Sequence, residues 1–367
     1  MTPDVLVHLV EPAQWRAALR QGSIRPGPDG FVHLSTPDLV HLPARRLFPG
    51  RRDLALLVVD PRRLTDPVRF EPGHPDDPAE LRFPHLYGPL PTSSVVAVVL
   101  YRPPTPVVLP EPSDALARAL TFYTSVPVRR AVGVGDVPGG VAVLDPDVPS
   151  SHDNNRLLLT APVDAAAVEA AAEEVGGNAG WPQRAALLAW PDAGPVARAL
   201  AARGWNAEEL VLMARRTELP VPRPGAGAEV VDQREVHELW ERSWRRGLAS
   251  LGDRLDAVVR QLVGRERLND RVVAVTDVAV REEGRVVAAG QLRVDGATAA
   301  VESMLTDPAA RGRGYAGAVL ARLLGIAADA GCDLVVLEAS ADDWPRHWYT
   351  RRGFEPIGTT WSVDRPA

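Results

Sequence analysis

Apolar residues fall into short runs bounded by turn formers, and between those runs they recur every three or four positions, so strands and amphipathic helices alternate along most of the chain. Near the start, positions 5–10 read as a strand, 11–21 as a helix with Pro12 in its first turn, 54–60 as a buried strand and 95–100 as another. Further on, strands are predicted at 140–144, 156–159 and 184–189, with a helix over 164–175 and a second helix after the last strand. The final part opens with amphipathic helices at 233–245 and 254–267. A strand pair at 272–280 and 285–294 turns at Glu282-Glu283-Gly284. A small-residue strand at 297–301, an apolar helix at 318–328, a buried strand at 333–338 and a short helix ending before Gly353-Phe354 complete the pattern.

Proline marks the seams. Arg102-Pro103-Pro104-Thr105-Pro106 with Leu109-Pro110-Glu111-Pro112 forms one extended linker, and residues 219–225 form another. At 367 residues the chain exceeds one ordinary core. Three segments result, 1–102, 113–218 and 226–367. The expected fold class is α/β (α+β): a small N-terminal α+β domain and two domains with mixed central sheets flanked by helices.

A formal charge of −6, from 41 basic and 47 acidic residues, argues against an electrostatic grip on nucleic acid. Every basic residue is Arg, so Schiff-base chemistry on a lysine is excluded. Cys332 stands alone, which leaves neither an intrachain disulfide nor a cysteine cluster for zinc, and no metal site is expected. A small buried hydrophobe is its expected role. No apolar run is long enough for a membrane span and the first residues lack a basic segment followed by an apolar one, so a cytoplasmic protein is expected.

The most informative stretch is Arg311-Gly312-Arg313-Gly314-Tyr315-Ala316, between the strand ending Met304-Leu305-Thr306 and the helix at 318–328. Glycines there let the backbone approach an anion, and helix-start amides point at it with the helix dipole behind them. The next strand follows, and then Tyr349 four residues before Gly353-Phe354. In this order the elements resemble the GNAT superfamily of acyl-CoA-dependent N-acyltransferases. The resemblance implies acetyl-CoA as cosubstrate, its pyrophosphate on the amides of Arg311, Gly312, Arg313, Gly314, Tyr315 and Ala316, and its pantetheine arm along Met304, Leu305 and Thr306. Tyr349 would protonate the departing thiolate, and Glu302 would deprotonate the incoming amine directly or through water. Without that context Tyr349 reads as a core aromatic and Glu302 as a solvated strand position; for Glu302 the two readings weigh equally. Asp342 stands where the family usually has Asn, which puts in doubt the polar contacts on the pantetheine or substrate side. Trp240, Trp244, Trp344 and Trp348 either wall an apolar amine site or pack at domain contacts.

The middle segment ends in Arg203-Gly204-Trp205, similar to Arg352-Gly353-Phe354, and resembles a second GNAT-like copy without cofactor chemistry. Leu200 replaces the tyrosine and no glycine turn precedes its helix; an unrelated α/β domain is the alternative. Its loop Ser150-Ser151-His152-Asp153-Asn154-Asn155 either lines a shared substrate cleft or only makes turns.

In the first segment, Gly30-Phe31-Val32-His33-Leu34-Ser35-Thr36 and Phe83-Pro84-His85-Leu86-Tyr87-Gly88, with Trp15 and Arg69-Phe70-Glu71-Pro72, resemble domain-of-unknown-function family 952. That resemblance implies the fold of ADP-ribosyltransferase-like proteins. His33, Ser35, His85 and Tyr87 suit a nucleotide or phosphorylated ligand, or else satisfy the backbone of a small half-barrel. Two functions follow. One is acetyl transfer to a small-molecule or peptide amine; the other is a nucleotide- or NAD-binding protein of ADP-ribosyl type in which the acyltransferase part is a coenzyme A-binding module. The intact transfer residues favour the first. The amine and the oligomeric state stay open.

Overall fold

A computed structural model describes residues 4–73, 78, 80–105, 107–220 and 227–367. The first segment builds on a three-stranded antiparallel sheet of Leu6–Val10, Leu54–Val59 and Val95–Tyr101, with Leu54–Val59 central and wholly buried. Helix Pro12–Gln21 buries Trp15 and Ala18 and ends on Gly22, whose φ of 80° suits a residue without a side chain. A smaller sheet joins Val32–His33, Phe83–Leu86 and Val68–Glu71, which sets His33 directly opposite His85.

The middle and third segments, expected as successive domains, share one eleven-stranded sheet. Each segment runs strand, helix, parallel strand, short helix, long strand. In the middle these are Arg156–Leu159, Ala165–Ala179, Gln183–Leu188, Gly194–Ala201 and Asn206–Arg216; in the third they are Thr298–Thr306, Tyr315–Asp329, Leu334–Ser340, Pro345–Thr350 and Glu355–Pro366. The long strands are exchanged. Asn206–Arg216 lies antiparallel between Leu334–Ser340 and Glu355–Pro366, and Glu355–Pro366 lies between Asn206–Arg216 and Gln183–Leu188. Each half thus completes its sheet with the last strand of the other.

Helix Ala115–Arg130, capped where Asp114 accepts from the Ala117 amide at 2.9 Å, was not foreseen and joins all three segments. Arg118, fully buried on it, donates to Val96 O at 3.2 Å, Pro112 O at 2.9 Å, Ala297 O at 3.2 Å and the Asp333 carboxylate at 2.6 Å. A second tie runs from Trp15 Nε1 to Asp295 Oδ1 at 2.8 Å, and Arg129 holds the same carboxylate. The buried amphipathic faces of the helices at Gln233–Gly247 and Leu255–Gly264 pack as predicted, with short 3₁₀ turns flanking the second. Among the described residues no helix is long and apolar enough to cross a membrane.

Candidate functional site

The strand Thr298–Thr306 pairs with Leu334–Ser340 only through Thr298, Ala299 and Ala300; beyond these the two part and leave a wedge. A bulge sharpens the parting. The register against Arg285–Asp295 slips at Gly290, Ser303 takes φ 51°, and Met304 lays its sulfur over Gly290, where no side chain fits. The free edge of residues 301–306 therefore faces open space with backbone groups unused by any neighbouring strand. Glu302, Ser303, Met304, Leu305 and Thr306 all lie along it.

At the foot of the wedge the chain turns through Gly312 (φ 80°) and Gly314 (φ 84°) into helix Tyr315–Asp329. Gly314 is the N-cap and carries no side-chain cap, and a Cβ built there meets nothing. Among the described residues no backbone carbonyl accepts from the amides of residues 312–317. Free amides at an uncapped helix start have the geometry that can take an anion. Arg311 and Arg313 are exposed at its rim, with Arg313 paired to Glu282, which also accepts from Tyr315 Oη at 3.2 Å. In the middle segment the corresponding helix start is filled by its own cap, since Asp164 accepts from the Ala167 amide at 2.8 Å.

Two titratable groups act on each other near the wedge. Tyr349 is buried, its ring edge-on to Trp348 and Phe354 at 5.0 and 5.6 Å, and its hydroxyl bonds no protein group among the described residues. Burial and the nearby Glu302 charge push its pKa above the ordinary phenol range, so it stays protonated. Glu302 accepts from Tyr123 Oη at 2.9 Å and lies 3.8 Å from Arg293. Burial raises its pKa, and Arg293 and the Tyr123 bond oppose the rise. Neighbouring Glu338, bonded by the Thr360 hydroxyl at 3.2 Å, is pushed up to about 7 by burial and the Glu302 charge.

Tyr123, Arg130, Asp153, Glu302 and Glu338 line a cavity with residues of both halves. The loop at 150–155 thus brings Asp153 to the cleft, where burial works against its charge and Arg265, Arg156 and Arg130 together hold its pKa below the usual range. A second hollow, which shares Ser303, Arg265 and Glu266 with the first, is walled by Trp240, Trp244, Met304 and Leu305. Trp344 does not join them. It is 60% exposed, and Trp348 instead backs Tyr349 and carries the Arg352 guanidinium 3.7 Å over its ring. Asp342 is exposed in the turn after Leu334–Ser340. Tyr123, Arg130 and Glu338 escaped the sequence reading. The signal for the first two was the cap Ser113-Asp114 ahead of an apolar helical run.

In the first segment, Tyr87 Oη donates to Glu71 Oε2 at 2.8 Å and His85 Nδ1 lies 3.3 Å from the same oxygen. Phe31 stacks on His85 at 4.1 Å, His33 meets His85 edge-on at 5.0 Å, and Arg69 covers Tyr87 at 4.6 Å. Ser35 is buried and its backbone bridges to Val7. Among the described residues no cluster could hold a metal ion.

The acetyltransferase (GNAT) family description matches residues 234–354, and that of the protein of unknown function family DUF952 matches residues 9–98. A probable glucosamine 6-phosphate N-acetyltransferase 2 from Oryza sativa subsp. japonica is 33% identical over 102 residues, 26% of this chain; the chain spans 60% of that relative's length. A functionally unknown conserved protein of Staphylococcus epidermidis ATCC 12228 superposes with a TM-score of 0.51 at 11% identity, over 63% of this chain and 92% of that one, which shows a shared fold. A GCN5-related N-acetyltransferase from Kribbella flavida gives a TM-score of 0.49 at 22% identity, over 69% of this chain and 96% of that one. The chain therefore carries a GNAT-family acetyltransferase domain in its C-terminal part and a DUF952 domain at its N-terminus.

Proposed function

We propose that this chain transfers the acetyl group of acetyl-CoA to an amine, with the middle segment as a second, degenerate copy that completes the acceptor side. The observation that carries this reading is the wedge beside Glu302 with an uncapped helix start at its foot; the buried Tyr349 hydroxyl, which bonds no protein group among the described residues and feels the Glu302 charge, supports it. The residues present fit the cosubstrate. Amides of Gly312, Arg313, Gly314, Tyr315 and Ala316 suit a pyrophosphate, the exposed Arg311 adds positive charge, and the free edge of residues 301–306 suits an amide-bearing arm. Bound acetyl-CoA supplies an activated thioester carbonyl. Glu302, raised above the usual carboxylate range, takes the proton of the incoming ammonium directly or through water. The freed amine forms the new C–N bond, the C–S bond breaks, and Tyr349 gives its proton to the departing thiolate. The Oryza sativa relative is named for an amine acceptor, which agrees with this reaction class.

Thermal unfolding of the full chain with acetyl-CoA tests the reading. A ligand at a hundred times its Kd stabilises the native state by about 2.7 kcal/mol. We expect a rise in Tm that Gly314→Val removes, because a β-branched residue at φ 84° is strained and its side chain enters the anion seat. No shift in the wild-type chain would refute it.

A second reading concerns the DUF952 domain. The Nε2 of His85 is buried without a partner beside the stacked Phe31 and the Glu71–Tyr87 bond, a polar atom left for a ligand such as a nucleotide. A Tm rise with NAD that is lost in His85→Ala supports it; none with NAD counts against it.

A further inference from the structure

The cavity beneath helix Ala115–Arg130 holds a buried guanidinium and a buried carboxyl group, neither in an ion pair among the described residues. Arg130, the last residue of that helix, is 8% exposed. Its Nη1 donates to Asn269 Oδ1 and its Nη2 to the backbone oxygen of Asp153 at 3.0 Å, while its Nε is buried with no partner. No carboxylate among the described residues pairs with it. Asp153 is engaged by Arg265 at 2.9 Å and Arg156 at 3.4 Å, and Glu266 by Arg293 at 2.7 Å. Arg156 repeats the pattern, with its own Nε buried and unpartnered. Burial pulls the Arg130 pKa down to about 10, which leaves it cationic at neutral pH. On the same cavity wall Glu338 makes no ion pair among the described residues, where its one hydrogen-bond partner is the Thr360 hydroxyl.

A buried charge without a counterion is costly, and protein structures rarely keep one that no ligand or partner compensates. Here the unpaired Arg130 guanidinium and the unpaired Glu338 carboxyl share one cavity that also contains Glu302, the base of the reaction proposed above. A simple amine would leave Arg130 unpaired, whereas an acceptor that also carries a negative group would pair with Arg130 through that group and meet Glu338 through its ammonium. We propose that the acceptor is a zwitterion: an amine that enters toward Glu302 and Glu338 and carries a carboxylate or phosphate that takes the free guanidinium edge of Arg130, with Arg156 beside it. This rests on the acetyl-transfer reading and names its substrate class. Arg130 and Arg156 both come from the middle segment, so that half sets acceptor specificity without touching the cosubstrate.

The test uses the full chain and acceptors in matched pairs: amino acids and aminoalkyl phosphates, each against its uncharged amide or ester. Coenzyme A release is followed with saturating acetyl-CoA. We expect kcat/KM to fall at least tenfold when the anion is masked, and the charged-to-masked ratio to collapse toward one in Arg130→Gln while the acetyl-CoA shift in Tm persists. The series that keeps the larger ratio distinguishes carboxylate from phosphate. Wild-type chain that accepts masked and charged amines equally, or Arg130→Gln that lowers both equally, overturns the proposal. A readout without turnover separates it from failure of the transfer reading: inorganic phosphate or acetate raises Tm of the wild type and not of Arg130→Gln. If neither anion shifts the wild type, the anion seat is refuted whatever acetyl-CoA does.

Discussion

Replacing Tyr123 by Phe removes one hydroxyl group from the cavity wall and little else. The hydroxyl donates to Glu302 at 2.9 Å, and the ring packs beside Phe122 at 5.7 Å, a contact that Phe keeps. A hydrogen bond to a charged group is worth about 1.5–3 kcal/mol. The donor stabilises only the ionised carboxylate, and each pKa unit corresponds to about 1.36 kcal/mol, so its loss raises the Glu302 pKa by roughly one to two units. Arg293 at 3.8 Å remains and keeps the group ionisable. If Glu302 must be deprotonated to act, the acidic limb of the kcat/KM profile moves up by the same one to two units, and the rate well above that limb changes only a fewfold. Coenzyme A release can be read with a thiol reagent on any accepted amine, because Cys332 is buried with its pKa pushed up to about 12 and contributes no background. Both proteins are compared on the same amine, so the amine's own titration cancels. An unmoved limb, or a uniform loss at every pH, would refute the role assigned to Glu302.

Tyr349→Phe should lower kcat by about ten- to a thousandfold with acetyl-CoA affinity nearly unchanged; equal losses in both would mean packing rather than proton donation. Arg118→Met should cost about 3 kcal/mol in denaturant unfolding. Asp333 keeps Arg63 at 2.6 Å and Arg216 at 3.1 Å, which limits the damage, and a cost below about 1 kcal/mol would show that the helix is held otherwise. Asp277, buried between Gln291 and Gln233, has its pKa pushed up to about 6 by burial. A raised acid pKa means the native state binds the extra proton between about pH 4 and 6, so stability from this group falls as pH rises through that window. Asp277→Asn should abolish that fall and gain roughly 2 kcal/mol at pH 7, read as the difference between unfolding curves at pH 5 and 7.

What the sequence disclosed was local. The turn at 311–316, the strand at Glu302 and Tyr349 before Gly353-Phe354 each declare themselves within a few residues, because glycine at positive φ and an apolar helix after it have few alternative uses. The groups that finish the cavity lie far away in the chain. Tyr123 is 179 residues from Glu302, and Arg130 is 139 from Asn269. Helix Ala115–Arg130 was hidden between a proline linker and a strand, and Pro127 within it masked its length. Nor does strand exchange leave any mark in a strand's own pattern. Asn206–Arg216 carries a continuous apolar run and Glu355–Pro366 a mixed sequence, and neither pattern names the neighbour. Trp344 was misjudged for the opposite reason, since a large aromatic near a motif looks buried until the turn that carries it is seen to face solvent.

The crossed long strands bear on how the chain is made. When Asn206–Arg216 has left the ribosome, its partner Glu355–Pro366 is still roughly 140 residues away, or roughly 10–30 s at ordinary rates of synthesis. For that interval Gln183–Leu188 presents an apolar edge with no neighbour, a surface open to chaperones or to another nascent chain. Deleting either half leaves a gap in the sheet of the other. That mutual dependence gives the middle segment, whose helix start is filled by Asp164, a structural part in the sheet of the other half.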